Sequence, residues 1–287
     1  MDVHAPHKHG RYSRGTTQKA RFRANRRQPM VCAHRGVWDP LPENSLAAIR
    51  AAARFDVVEI DVRLDANGTP YLMHDPTLDR MTDGSGSANG ADPAMLAELR
   101  LREGAGGPSQ TVTTEPVPML DDAFKALDGT GAIFDLDVKR ASDIEAVAEA
   151  VAGLGCQDLA TLKMDVEQPG DIARLVAMEE TYDIMVMAKL KLSSRDDLPL
   201  VVSLREADIA AVEIWFDDLN LLRRATAFAG DLMRFGTYTL DDVHCAGLSD
   251  QVARRDPGAV WGRLLGAGIR LIMTDEPEAL SRYLLTR

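Results

Sequence analysis

The stretch "VVEIDVRL", residues 57–64, has the pattern of a short, apolar strand buried in a parallel sheet. Side chains of a strand alternate between its two faces, so Glu59, Asp61 and Arg63 share one face. Three apolar side chains occupy the other. In an α/β enzyme, such a strand packs its apolar face in the core, and the charged residues near its end contribute to the active site.

Strand-like and helix-like runs alternate from about residue 30 to the end of the chain. Eight strands with helices between them predict a single-domain α/β fold, a (β/α)8 TIM barrel over residues 30–287. A hairpin with Asn67-Gly68 at its turn follows the second strand, and a polar, Gly-rich insertion spans about 83–114. The predicted strands are "MVCAH", "VVEIDVRL", "AIFDLDVK", "LATLKM", "DIMVMAKL", "AAVEIWF", "RFGTYTL" and "RLIMTD".

The charge of the chain is unevenly distributed. The 287 residues carry a net charge of −11, yet residues 1–27 hold eight Lys and Arg against one acidic residue. We expect residues 1–29 to form a disordered basic tail, either solvated or a weak anchor to a polyanion such as anionic lipid. The acidic remainder argues against nucleic acid as a partner.

Cysteine use and hydropathy bear on location. Cys32, Cys156 and Cys245 are odd in number and lack metal-ligand spacing, which fits a reducing compartment. No run is long and apolar enough to span a bilayer. The sequence therefore predicts a cytoplasmic protein without a transmembrane segment.

Two strands offer pairs of carboxylates. Glu59 and Asp61 share one strand face, and Asp135, Asp137 and Lys139 share a face of another. Buried carboxylates are costly without a positive partner, and a hard cation such as Mg²⁺ or Ca²⁺ would supply one. The alternative is an ion pair, with Arg63 or a partner on the next strand for the first strand and with Lys139 for the second. Lys139 is also placed to meet an anionic substrate.

Two histidines stand at predicted strand ends, His34 in "AHRG" and His74 in "MHDP". Their placement indicates a general acid and base pair. Asp75 is placed to orient an imidazole, and Arg35 to hold a phosphate oxygen in its fork. Gly36 would let the backbone approach a ligand closely.

The motif "PENS" begins the helix that follows the first strand. Asn44 and Ser45 suit the helix N-cap. Glu43 either supports the metal site or serves only the loop and cap.

Together the motifs "AHRG", "PENS", "EIDV", "HDPTLDRMTDGSG", "DLDVK" and "TDEP" resemble the glycerophosphodiester phosphodiesterase family. The resemblance implies a (β/α)8 barrel and metal-dependent hydrolysis of a small-molecule phosphodiester to an alcohol and glycerol 3-phosphate, a reaction of lipid and glycerol metabolism. It implies one divalent metal, Mg²⁺ or Ca²⁺. The implied roles are acid-base catalysis for His34 and His74, metal binding for Glu59, Asp61 and Asp137, and phosphate binding for Arg35 and Lys139.

This chain departs from the family pattern at the third acidic position. Asp137 stands where the family usually has Glu, and Asp135 is a possible substitute ligand. Lys163, Trp215 and Tyr238 either shape the pocket of the leaving alcohol or pack the barrel.

Two other functions compete with hydrolysis of soluble diesters. One is lysophospholipase D or sphingomyelinase D-like action on lipids, which an apolar loop over the barrel mouth would favour. The polar, Gly-rich 83–114 stretch favours a soluble headgroup diester instead. The other is a barrel of the same family without hydrolytic activity.

Overall fold

The structure, a computed structural model, describes residues 14–24 and 26–286. The strands are β1 (Met30–His34), β2 (Val57–Leu64), β3 (Pro70–Leu72), β4 (Arg100–Arg102), β5 (Val112–Pro116), β6 (Ile133–Val138), β7 (Ala160–Asp165), β8 (Met185–Leu192), β9 (Ala211–Phe216), β10 (Arg234–Tyr238) and β11 (Leu271–Thr274). The α-helices are α1 (Arg14–Arg23), α2 (Leu46–Ala52), α3 (Pro93–Glu98), α4 (Leu120–Leu127), α5 (Ile144–Leu154), α6 (Pro169–Tyr182), α7 (Leu198–Glu206), α8 (Leu219–Ala229), α9 (Asp250–Ala253), α10 (Arg263–Gly266) and α11 (Pro277–Leu285).

Eight of these strands form a closed parallel barrel. The ring runs β1, β2, β6, β7, β8, β9, β10 and β11, and it closes because β1 pairs with both β2 and β11. The predicted (β/α)8 barrel is therefore confirmed. All eight carboxyl ends open at the same end of the barrel, which is where this architecture gathers functional side chains.

The barrel strands have two apolar faces with different neighbours. Side chains such as Val58 and Ile60 point outward and pack against the helices in one large buried cluster. Met30, Val57 and Ile133 point inward, and they form a second buried cluster near the amino ends of the strands. Charged side chains replace apolar ones toward the carboxyl ends of the strands. Apolar packing therefore fills the amino-terminal half of the barrel interior, and charged side chains line the carboxyl-terminal half.

The insertion after β2 has its own small core. The predicted hairpin is present, since β2 and β3 pair antiparallel around a turn in which Gly68 has a φ of +79°. Beyond it, α3 and the β4–β5 ribbon enclose a buried apolar cluster that includes Tyr71, Leu78 and Leu101. The polar composition of 83–114 thus covers a packed structure rather than an open loop.

The basic N-terminal segment differs from the expected disordered tail where the structure describes it. Residues 1–13 lie outside the described residues, but α1 is helical and its Phe22 is buried in the inward-facing cluster near the strand amino ends. Lys19 pairs with Glu179 at 2.6 Å. The Arg234 guanidinium donates to the Phe22 and Gln28 carbonyls at 3.0 and 2.8 Å. Burial of one aromatic ring therefore fixes a segment whose composition is otherwise that of a solvated chain.

Within residues 14–24 and 26–286, no helix combines the length and apolar character needed to cross a bilayer.

Candidate active site

A cleft of about 220 Å³ opens at the carboxyl ends of the barrel strands. A larger cavity of about 590 Å³ lies near the strand amino ends, but no histidine lines it. The types of side chain that line the cavity, rather than its volume, therefore identify the candidate site. The cleft is lined by His34, Arg35, Glu59, Asp61, His74, Asp137, Lys139, Lys163, Lys189, Glu213, Tyr238, Leu240, Val243 and Met273.

Three carboxylates converge on one side of the cleft. Parallel pairing sets Asp61 beside Asp137, and Glu59 precedes Asp61 on the same inward face. One oxygen from each of Glu59, Asp61 and Asp137 lies within 4.8 Å of the others. Asp135 is not part of this cluster, and its carboxylate pairs with Lys163 at 3.0 Å. The shorter side chain of Asp137 thus still reaches the other two carboxylates.

The basic side chains on these two strands have different partners. Lys139 Nζ lies 2.5 Å from Asp61 Oδ1 and 2.7 Å from Asp137 Oδ2, so it neutralises two of the three carboxylates. Arg63 turns away and donates instead to the His74 carbonyl and to Asn89, each at 2.6 Å. Of the two ion pairs predicted as alternatives for β2, the one with Arg63 is absent, and the one with a partner on the next strand is present as the Lys139–Asp61 pair. The Arg63 guanidinium holds the backbone of a candidate catalytic residue.

The carboxylate cluster fits a divalent cation. Burial and the neighbouring Asp61 charge raise the pKa of Glu59 to about 7. The ionised carboxylates therefore repel one another, and an additional positive charge would stabilise them. Burial alone would also raise the pKa of Asp61, but Lys139 and Arg35 lower it below its usual value. Three closely spaced carboxylate oxygens are hard ligands of the kind that Mg²⁺ and Ca²⁺ take.

His34 is oriented by the last strand of the barrel. Its Nδ1 lies 2.8 Å from Asp275 Oδ1, which also accepts a 3.0 Å hydrogen bond from Trp38 Nε1. An ionised carboxylate can only accept, so Nδ1 donates and Nε2 remains for proton exchange. Burial lowers the pKa of His34, but the Asp275 hydrogen bond and the Glu59 charge outweigh it and raise the pKa overall.

His74 is oriented from the insertion. Its Nδ1 lies 2.7 Å from Asp75 Oδ1, as expected for an orienting carboxylate. Arg80 holds Asp75 through two hydrogen bonds of 2.7 and 2.8 Å and reaches Glu43 at 2.6 Å. Burial, together with Arg35 and Lys139, lowers the pKa of His74 overall, although the Asp61 charge raises it.

Arg35 links the two histidine neighbourhoods. Its backbone is left-handed, with a φ of +56°, which is uncommon for a residue other than glycine. Nη1 donates to Glu43 at 2.9 Å, and Nε lies 3.1 Å from Asp61 at ion-pair distance without hydrogen-bond alignment. Glu43 is 2% exposed and bridges Arg35 to Arg80, so it supports the site through these arginines.

Gly36, Asn44 and Ser45 act on local structure. A Cβ on Gly36 would lie 2.7 Å from the Ala48 backbone carbon, so the close approach is to α2 rather than to a ligand. Ser45 caps α2, as predicted. Asn44 does not cap; its amide donates to Asp61 Oδ2 at 2.7 Å, and its oxygen accepts from the Asp61 N–H at 3.0 Å. The Asn44 amide therefore fixes the position of one carboxylate of the carboxylate cluster.

The opposite side of the barrel mouth carries lysines and aromatic rings. Lys163 lines the cleft and is buried between Asp135 and Glu213, at 3.0 and 2.9 Å. Burial raises the pKa of Asp135 to about 6. Trp215 and Tyr238 line an adjoining cavity of about 430 Å³ and also pack against the core.

Several contributing residues were missed from the sequence. Asp275 directly follows the last strand within "TDEP", and its position at the strand end was a usable signal. Lys189 and Lys191 alternate in "MAKLKL" and so share a face, which was also readable. Arg80 and Asn44 carry no comparable signal, because only the folded insertion and the left-handed turn bring them to the site.

Asp250 supports the site from below and should make stability depend on pH. It is buried and accepts from the Thr274 hydroxyl at 2.7 Å and from the Asp275 N–H at 2.9 Å. Burial raises its pKa to about 6, above about 3.9 in an unfolded chain. The folded state binds this proton more tightly, so the stabilisation is complete below pH ~4 and is lost as pH rises through ~6.

We therefore expect Asp250→Asn to gain about 1–3 kcal/mol of stability relative to wild type between pH ~4 and ~7.5. Urea unfolding across that range measures the difference. Asp242→Asn, which removes the same charge from an exposed position in the preceding loop, is the control and should track the wild type. A constant difference between wild type and Asp250→Asn would contradict the prediction.

The fold and site together define a (β/α)8-barrel protein with two oriented histidines beside a carboxylate cluster at the carboxyl ends of its strands. A sequence model of the Glycerophosphoryl diester phosphodiesterase family matches residues 34–279, and the chain belongs to this family.

Curated relatives share shorter stretches. Glycerophosphodiester phosphodiesterase 1 of Rattus norvegicus is 55% identical over 56 residues, covering 19% of this chain and 17% of the relative. Glycerophosphodiester phosphodiesterase of Caldanaerobacter subterraneus subsp. tengcongensis is 29% identical over 112 residues, covering 38% and 45%. The matched stretches thus span less than half of either relative.

Solved structures share the fold over nearly the whole chain. A glycerophosphoryl diester phosphodiesterase from Parabacteroides distasonis has a TM-score of 0.70 at 18% identity, covering 92% of this chain and 88% of its own. An Oleispira antarctica phosphodiesterase, solved with the product sn-glycerol-3-phosphate, has a TM-score of 0.65 at 22% identity, covering 91% and 98%. At these identities the likeness establishes the barrel.

Proposed function

We propose that this chain hydrolyses glycerophosphodiesters to an alcohol and glycerol 3-phosphate with the aid of one divalent cation, Mg²⁺ or Ca²⁺. The observation that carries the proposal is the convergence of two carboxylate-oriented histidines and three carboxylates in one cleft. The cleft volume of about 220 Å³ suits a small diester rather than nucleic acid. Family membership supports the same class of substrate.

Each group in the cleft has a chemical task in this reaction. Glu59, Asp61 and Asp137 would hold the cation, which would stabilise the charge that develops on the phosphoryl oxygens. The positively charged side chains of Arg35 and Lys139 would lie beside the same phosphoryl oxygens. Their ion pairs with carboxylates hold both side chains at the cleft before a diester binds.

Proton transfer falls to the histidines. One imidazole removes a proton from the attacking oxygen, which belongs either to water or to the substrate's own glycerol hydroxyl, and that oxygen bonds to phosphorus as the bond to the alcohol oxygen breaks. The other imidazole gives its proton to that departing oxygen. A cyclic diester formed by the glycerol hydroxyl is then opened by water, which gives glycerol 3-phosphate. Asp275 and Asp75 hold the two rings through Nδ1, which keeps each Nε2 available.

The experiment is restoration of turnover to metal-stripped protein. We expect release of glycerol 3-phosphate from bis(glycerol) phosphate and glycerophosphocholine to require added Mg²⁺, Ca²⁺ or Mn²⁺. A lysophospholipid in the same panel tests the lipid-directed alternative, since turnover of that substrate alone would favour it. Folded protein that turns over none of these with any cation would contradict the proposal.

We also propose a reducing, cytoplasmic location for the protein. None of its three cysteines forms a disulfide, and Cys32 and Cys245 are buried.

A further inference from the structure

The cleft continues into a second cavity on the β7–β10 side of the barrel mouth. This cavity, of about 430 Å³, shares Lys189, Glu213 and Tyr238 with the reaction cleft. A group attached to a phosphate in the cleft would extend into it. The side chains there therefore decide which leaving alcohol is accepted, if the proposed hydrolysis is correct.

Most charges in this second cavity are already paired. Glu213 is neutralised by the buried Lys163 at 2.9 Å. Lys189 lies 3.7 Å from Asp137 and 3.7 Å from Asp165. These groups leave little net charge for a ligand to complement.

Lys191 is the exception. It is the outermost inward-facing residue of β8, it is exposed, and parallel pairing places it beside Trp215. In the part of the chain that the structure describes, its Nζ has no carboxylate within 4 Å. The Lys191 charge is thus uncompensated at the point where a leaving alcohol would project.

Lys191 also covers the aromatic surface of the cavity. Its Nζ lies 4.9 Å from the centroid of the Trp215 ring, in cation–π geometry. A quaternary ammonium group would recognise this ring through the same interaction, so it would have to displace Lys191 and stand beside its charge. The arrangement disfavours a cationic alcohol and favours an anionic one.

We propose that Lys191 and Trp215 form a subsite for a negatively charged leaving alcohol, such as one that carries a second phosphate. Lys191 attracts the anionic group, and Trp215 holds the lysine chain in place. The subsite rests on the proposed function, since it selects among diesters that the same cleft hydrolyses.

The test compares kcat/KM for three glycerophosphodiesters whose alcohols are cationic choline, neutral glycerol and anionic inositol 4-phosphate. We expect wild type to prefer the anionic over the choline diester by about tenfold or more, as the interaction of one charge pair near a protein surface allows. Lys191→Gln should lower this ratio about tenfold, and Lys191→Arg should largely retain it. Lys125→Gln, at an exposed position of α4, is the matched control and should leave all three values unchanged.

The outcomes separate the subsite from the reaction. Turnover with a ratio that Lys191→Gln does not change, or a wild-type preference for the choline diester, would overturn the subsite alone. Absence of turnover on all three diesters would overturn the proposed hydrolysis and the subsite with it.

Discussion

His34→Ala is expected to lower kcat for glycerophosphodiester hydrolysis by about 10³-fold while the protein remains folded. The imidazole is held by Asp275 through Nδ1, so its other nitrogen is positioned for proton transfer. Alanine removes that proton carrier and leaves the carboxylate cluster in place. Steady-state release of glycerol 3-phosphate with saturating metal measures the loss, and circular dichroism confirms the fold.

His244→Ala is the matched control, because this histidine belongs to the loop after β10 and is not among the residues that line the cleft. It should retain wild-type turnover. A His34→Ala protein with near-normal kcat would show that another group moves the proton, and it would remove His34 from the proposed mechanism.

Asp61→Asn is expected to weaken binding of a divalent cation at least tenfold and to lower kcat by about 10²–10³-fold at saturating metal. Asp61 is 1% exposed, and Lys139, Arg35 and Asn44 all contact its carboxylate. Asparagine preserves the shape but removes the charge around which those groups are arranged. Isothermal titration of metal-stripped protein with Mg²⁺, Ca²⁺ and Mn²⁺ measures the affinities.

The control is Asp165→Asn, which removes the same charge from an exposed carboxylate at the barrel mouth, outside the carboxylate cluster. Its metal affinity should match that of the wild type. Equal losses of affinity in the two variants would show that overall charge, rather than a site at Asp61, governs cation binding.

The barrel and much of the site could be predicted because their signals are local. Two-residue alternation placed Glu59 with Asp61 and Asp135 with Asp137, and the structure brings both strands side by side. Alternation could not decide which carboxylates form the cluster. That depends on where each carboxylate lies in the folded barrel, where Asp135 is outside the cluster and pairs with Lys163 on the next strand.

The residues that orient the histidines needed tertiary structure. Asp275 is 241 positions from His34 along the chain, and only closure of the barrel between β1 and β11 brings them together. Arg80 reaches Asp75 and Glu43 because the insertion folds around its own apolar core. No periodicity encodes such contacts.

The N-terminal segment was expected to be a disordered tail because its composition is basic and polar. In the part that the structure describes, Phe22 is buried, Lys19 pairs with Glu179, and Arg234 donates to the Phe22 carbonyl. Composition does not encode these contacts, because they form only with the folded barrel.

The proposed hydrolysis is tested most directly by following the phosphorus atom of bis(glycerol) phosphate by ³¹P nuclear magnetic resonance in H₂¹⁸O, with metal-loaded wild-type protein. We expect the diester signal to be replaced by that of glycerol 3-phosphate carrying one ¹⁸O on phosphorus, and metal-stripped protein to leave the diester intact. Conversion without added metal, incorporation of ¹⁸O into the released glycerol, or a diester signal that never changes would contradict it.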